Sequence, residues 1–129
     1  MSIESINHFN IIAPAAVIAE VRRFYIDVIG LTEGFRPNFD FDGHWLYAGN
    51  APILHLMVAD DARPCRNADH TGNLDHIALT ATDLAVTEAR FKGAGLSYIR
   101  KEVPNFNIVQ LFIQDPIGLN IELNFSASA

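Results

Sequence analysis

Four residues with metal-binding side chains lie at corresponding positions in the two halves of this sequence. His8 and His76 are 68 residues apart, and His55 and Glu122 are 67 residues apart. Imidazole and carboxylate groups together form ligand sets suited to Fe(II), Mn, Ni or Zn. A lone histidine in a strand is more often a hydrogen-bonded structural residue, so the prediction of a metal site depends on the four occurring as a set.

The four residues belong to a repeated order of predicted elements. Residues 5–58 are predicted to form β, α, β, β, β, residues 59–73 a polar linker, and residues 74–125 the same order again. The segment INHFNIIA at 6–13 aligns with LDHIALTA at 74–81, and PILHLM at 52–57 aligns with LNIELN at 119–124. The sequence therefore predicts an α+β fold of two βαβββ modules within one domain, 1–129.

Apolar spacing and chain-breaking residues predict the bounds of these elements. In the first module we expect strands at 6–13, 31–41, 44–48 and 53–58, with a turn at Asp42-Gly43. A helix should follow Pro14, bury a stripe through Val17 and Val21, and end at Gly30. In the second module we expect strands at 74–81, 97–103, 108–114 and 119–124. Its helix should be capped by Thr82 or Asp83 and end near Gly93 and Gly95.

Side-chain alternation in the strands predicts which way the four candidates point. Asn120, Glu122 and Asn124 share a polar face, opposite an apolar one. If the helices cover the apolar faces, the four candidates project from the concave face of a curved mixed sheet. A carboxylate buried there without a partner would be costly, and a dication would remove that cost.

The sequence resembles the vicinal oxygen chelate superfamily over about residues 5–125. The resemblance rests on DPIGLNIEL at 115–123, FYIDVIGL at 24–31 and the histidine in each opening strand. The superfamily includes glyoxalase I, methylmalonyl-CoA epimerase, fosfomycin-resistance proteins, bleomycin-binding proteins and extradiol ring-cleaving dioxygenases. The resemblance implies an eight-stranded, two-module arrangement around a divalent ion. It also implies a homodimer with the site at the subunit interface, where His8 and His55 of one chain face His76 and Glu122 of the other.

The order His–His–His–Glu is similar to that of the catalytic half of extradiol dioxygenases. That similarity implies that His8, His76 and Glu122 hold Fe(II), and that His55 is either a fourth ligand or the acid–base catalyst. The favoured substrate is then a small aromatic diol.

Two other functions remain open. One is a glyoxalase- or epimerase-type lyase or isomerase in which Glu122 moves a proton and Ni, Co, Mn or Zn replaces iron. Ile12 and Ala59 argue against a glutathione-dependent glyoxalase, because short bacterial glyoxalases have Arg and Asn at these positions. The other is a non-catalytic small-molecule binding protein of the bleomycin-resistance type.

Several further residues are candidates for a substrate pocket. Aromatic side chains are expected to wall an apolar pocket for a planar ligand, with Asn10 beside His8. The aromatic candidates are Phe39, Trp45, Tyr47, Phe106 and Phe112. Candidates for holding an anionic substrate group are Arg36, Arg100 and Lys101. Residues expected to be structural or solvated are Phe24 and Tyr25 in the core, His44 in a turn, His70 in the linker and Cys65 as an inert thiol.

Charge and composition restrict the class of partner. The 129 residues include 9 Lys and Arg against 15 Asp and Glu, a formal charge of −6, which disfavours nucleic acid as a ligand. The single cysteine excludes an internal disulfide and fits a reducing compartment. The sequence has no apolar run of the ~18 residues that a membrane span needs. We therefore expect a cytoplasmic protein whose ligand is a small molecule.

Overall fold

Two compact units make up the chain, Met1–Ala68 and Asp69–Ala129. The computed structural model describes residues 1–65 and 73–126. His70 and the central part of the predicted linker lie outside the described residues. Each unit contains its own four-stranded mixed sheet.

The first unit has the element order β, α, β, β, β. Its sheet has the strand order β1-β4-β3-β2, with β1 parallel to β4 and the other neighbours antiparallel. The elements are β1 (Phe9–Ala13), α1 (Ala15–Phe24), a π-helical turn (Tyr25–Ile29), β2 (Thr32–Glu33), β3 (Gly43–Ala48) and β4 (Ala51–Val58).

The second unit repeats this order. Its sheet has the strand order β5-β8-β7-β6, with β5 parallel to β8 and the other neighbours antiparallel. The elements are β5 (His76–Ala81), α2 (Leu84–Gly93), β6 (Ile99–Val103), β7 (Ile108–Gln114) and β8 (Asn120–Ser126). The predicted α+β fold of two βαβββ modules is confirmed.

Helix α1 begins after Pro14 and packs on β1 and β4. It buries Ile18, Val21 and Phe24, so its apolar stripe runs through Ile18 rather than the predicted Val17. The chain leaves the π-helical turn at Gly30, whose φ of 94° lies in the left-handed region that glycine tolerates. In the described residues, no helix is long and apolar enough to cross a bilayer.

Alternating burial gives β4, β7 and β8 one apolar face and one more open face. The apolar sides are buried at Leu54, Leu56, Val109, Leu111, Ile113, Ile121, Leu123 and Phe125. His55 and Glu122 lie between these positions, so both project from the opposite face of their sheets. Removing these apolar side chains from water is the main stabilising contribution, and it fixes the side of the sheet from which the candidates project.

Several predicted bounds were wrong. Within the strand predicted at 31–41, only Thr32–Glu33 is a strand in the structure. Beyond it Arg36 donates to the Phe41 carbonyl oxygen at 2.8 Å, and its guanidinium lies 5.0 Å from the Phe39 and Phe41 ring centroids. These contacts of one side chain with a nearby loop override the strand preference of the aromatic residues.

Other predicted features also differ from the structure. The first strand starts at Phe9, so His8 immediately precedes it, and Gly43 already belongs to β3 instead of a turn. Helix α2 has no side-chain hydrogen bond at its N-cap, because Asp83 takes a left-handed conformation with φ of 63°.

Candidate metal and substrate site

In the first unit, three rings are stacked on the open face of the sheet. The His55 ring lies between those of His8, with centroids 3.7 Å apart, and Trp45, with centroids 4.0 Å apart. Strand register explains the contact, because Trp45 and Asn10 are the cross-strand partners of His55 on β3 and β1. We call His8, His55 and Trp45 the ring stack.

The pKa of His55 is lowered in this stack. Burial is the largest factor that lowers its pKa below the ordinary value of 6.5, and the neighbouring His8 ring lowers it further. A hydrogen bond with the Pro52 backbone opposes the shift. Among the described atoms His55 Nε2 is buried without a hydrogen-bond partner, which leaves a lone pair for a ligand or proton.

The histidines of the two opening segments are each oriented by a hydrogen bond to the preceding residue. His8 Nδ1 donates to Asn7 Oδ1 at 2.7 Å, and His76 Nδ1 donates to Asp75 Oδ2 at 2.8 Å. A proton held on Nδ1 leaves Nε2 as the lone-pair nitrogen, and metal-binding histidines are commonly fixed in this way. Sequence reasoning missed Asn7 and Asp75, although each directly precedes a candidate histidine.

In the second unit, Glu122 is held by two amides. Gln110 Nε2 donates to its Oε1 at 3.0 Å, and Asn124 Nδ2 donates to its Oε2 at 3.1 Å. These bonds fix the orientation of the carboxyl group and leave lone pairs on both oxygens. A role for Gln110 was not predicted from the sequence. Its polar side chain in the middle of the largely apolar strand β7 could have indicated one.

His76 shares a face with Glu122, since their strand partners are Asn120 and Ala78. The hydrogen bond to Asp75 raises the pKa of His76 above 6.5, and the negative charge of Glu122 raises it as well. The ring therefore sits in a negative environment that favours a cation.

The donor set fits a divalent ion, and each unit supplies one pair of donors. In the first unit these are His8 and His55, and in the second His76 and Glu122. Within residues 1–65 and 73–126, no group of three or more His, Cys, Asp or Glu side chains is assembled as a metal site. The ligand roles remain predictions.

Predicted pocket residues have different surroundings. Phe39 stacks on Phe41 at 5.1 Å and is tilted against Trp45 at 6.2 Å. The Tyr47 hydroxyl donates to the Phe35 carbonyl oxygen at 2.5 Å. Asn10 is exposed, opposite His55. Phe112 lines a cavity in the second unit, whereas Phe106 is 71% exposed in the turn before β7 and does not line that cavity.

Of the residues predicted to be structural, His44 needs correction. It lies in β3 rather than in a turn and pairs with Glu33, which also accepts from Arg22. Cys65 Sγ donates to the Ile12 carbonyl oxygen at 3.3 Å. Phe24 and Tyr25 are buried as predicted.

No protein-family model matches the sequence. No curated protein matches it either. Solved structures do match, over almost the whole chain.

Three of the similar structures illustrate the range. A protein described as of the glyoxalase family, from Bacillus anthracis, has a TM-score of 0.72 at 23% identity and covers 98% of each chain. A glyoxylase/bleomycin resistance protein/dioxygenase domain from a Frankia species has a TM-score of 0.73 at 17% identity, covering 99% of this chain and 96% of that one. An antibiotic-binding protein from Streptomyces has a TM-score of 0.66 at 20% identity and covers 98% of each.

The chain has the fold that these glyoxalase-type and antibiotic-binding structures share. The resemblance found in the sequence is thus confirmed at the level of the fold. Because proteins with this fold include glyoxalase-family and antibiotic-binding proteins, the fold alone selects no specific activity.

Proposed function

We propose that this protein is a metal-dependent enzyme that cleaves the ring of a small aromatic diol, with Fe(II) as its metal. The observation that carries the proposal is the state of His55. Its ring is stacked between His8 and Trp45, burial lowers its pKa, and its buried Nε2 has no hydrogen-bond partner in the described structure. Such an imidazole is ready to accept a proton from a diol hydroxyl near neutral pH.

The other three candidates are suited to holding the metal. His8 and His76 offer Nε2 because Nδ1 is occupied, and Glu122 is oriented by hydrogen bonds from Gln110 and Asn124. Bound Fe(II) supplies Lewis acidity toward two vicinal oxygens and the redox activity that dioxygen chemistry requires.

The two units present aromatic faces at equivalent positions beside these groups. Trp45 is the cross-strand partner of His55, and Phe112 is the cross-strand partner of Glu122. Flat apolar rings at these positions favour a planar substrate and exclude water from the reacting oxygens.

We further propose a homodimer in which His8 and His55 of one chain act together with His76 and Glu122 of its partner. Support comes from the separate donor pairs, since two ligands alone do not make a stable site for such an ion. Large apolar side chains that are exposed in the single chain include Ile3 at 83% and Ile6 at 90%. Covering such side chains would stabilise a dimer.

Anaerobic loading with Fe(II), followed by addition of catechols in air, tests the proposed activity. We expect one Fe(II) per chain, consumption of dioxygen with the diol, and a yellow ring-opened product. Activity with Ni or Co on a hemithioacetal or an acyl-CoA would instead support the lyase or isomerase. Ligand binding without turnover under every metal would support a binding protein, and either result would overturn the dioxygenase.

A further inference from the structure

A cavity of about 590 Å³ lies within the second unit, on the face that carries His76. Its volume is in the range of sites for small organic ligands. Its walls combine apolar surface from Ile99 and Phe112 with polar groups of His76, Lys101 and Asn120. Its volume and lining thus suit a small aromatic molecule with a polar substituent.

Lys101 is the feature that gives this cavity a charge preference. Its Nζ lies 5.4 Å from the centroid of the Phe112 ring, in the range of a cation–π contact. The cross-strand partner of Lys101 is Gln110, so Lys101 projects from the same face as Glu122. Across residues 1–65 and 73–126, no carboxylate lies within ion-pairing distance of Lys101.

Other cations considered for an anionic substrate group are already engaged. Arg100 pairs with Glu88 at 2.7 Å and with Glu102 at 3.7 Å, on the opposite face of β6. Arg36 is bound to the Phe41 carbonyl oxygen in the first unit. The acidic residue in the cavity wall, Asp75, is directed to His76 Nδ1 at 2.8 Å.

We propose that this cavity selects aromatic ligands that carry a carboxylate, with the anion paired to Lys101 and the ring against Phe112. The inference rests on the proposed function in one respect: the aromatic ring of the ligand is taken to be the ring of the diol substrate. An ammonium beside an aromatic ring and an apolar wall attracts a carboxylate more strongly than fully hydrated charges attract each other. The cation–π contact also restricts where the ammonium can lie.

Ligand binding to the metal-free protein, kept under nitrogen, tests this proposal. The probes are 3,4-dihydroxybenzoate and catechol, with dissociation constants obtained by NMR titration. We expect the carboxylate-bearing ligand to bind about fivefold more tightly, the upper range for an ion pair with an exposed ammonium. Added salt should reduce this ratio, because it screens the charges.

Lys101→Met should bring the ratio of the two affinities to about one. Lys92→Met, an exposed lysine of α2, is the matched control and should keep the wild-type ratio. An equal affinity for the two probes in the wild type, a preference that survives in Lys101→Met, or no binding of 3,4-dihydroxybenzoate would overturn the proposal. A preference that depends on Lys101 in a protein without ring-cleaving activity would uphold this subsite and reject the dioxygenase.

Discussion

Imidazole rings in this protein are held by neighbours that determine which ring nitrogen is available. Asn7 and Asp75 each occupy Nδ1 of the histidine that follows them. His55 is oriented by its stack with His8 and Trp45, and its Nε2 is buried. Preorganised rings lose less entropy on binding a ligand than freely rotating ones.

The contact between Asp75 and His76 predicts an NMR titration result. In the metal-free protein, the titration midpoint of His76 should lie above 6.5, because the hydrogen bond to Asp75 favours the charged ring. Asp75→Asn should lower that midpoint, and Asp61→Asn, an exposed residue of the first unit, should not change it. The raised pKa stabilises the folded state below pH ~6.5, and this contribution is lost as the pH rises through the folded value. An unchanged midpoint in Asp75→Asn would contradict the contact.

Roles of the histidines can be separated by two substitutions. His55→Gln should retain Fe(II) and lose turnover by about 10²–10⁴-fold, the usual contribution of an acid–base group. His76→Gln should lose the metal itself, because it removes a ligand. Metal content by elemental analysis and dioxygen uptake are the two measurements. Loss of Fe(II) from His55→Gln would identify His55 as a direct ligand instead.

At the scale of elements, the β3–β4 pair positions the ring stack. Trp45 faces His55 across this pair, and Gly43 at the start of β3 permits the close approach of the strands. A Cβ atom at Gly43 would lie 2.2 Å from the Leu56 carbonyl oxygen, which is backbone and cannot move aside. Glycine is therefore required here for steric reasons.

Gly43→Ala should destabilise the protein by about 1–3 kcal/mol, the usual cost of overpacking. Gly93→Ala is the matched control, because nothing lies within 4 Å of a Cβ at this last residue of α2. Alanine is also the better helix former, so the control should be neutral or stabilised by up to about 1 kcal/mol. Urea unfolding gives both values. Equal stability of Gly43→Ala and the wild type would contradict the close approach.

At the scale of the whole molecule, the proposed dimer makes the site a shared one. Each unit alone presents two of the four candidate donors. In a two-fold dimer, each donor pair of one chain would meet the complementary pair of its partner, which would give two complete sites. The dimer and the complete metal site are therefore predicted together, because a chain that cannot form the dimer would have incomplete sites.

Mixing two inactive variants tests this shared site. We expect His8→Ala and Glu122→Ala each to bind no Fe(II), and a refolded equal mixture to regain about a quarter of the wild-type sites. Half of the dimers would be mixed, and each mixed dimer would have one intact site. Sedimentation should give twice the mass of one chain for all samples. No recovery of Fe(II) in the mixture, or a monomeric mass, would refute the shared site.

Local patterns in the sequence determined the order of elements and the face on which the candidates lie. The alternation around Glu122 and the repeat of its segment at His55 predicted that both project from the open face of their sheets. This succeeded because the two-residue period of a strand and the burial of its apolar side are properties of a short segment.

Tertiary structure alone decided what holds and surrounds the candidate residues. Gln110 reaches Glu122 only through the register of β7 with β8, and Trp45 reaches His55 only through that of β3 with β4. The loop around Arg36 likewise replaced a predicted strand. The contacts of Gln110 and Trp45 cross between paired strands, so their energies depend on strand register and packing that no local pattern contains.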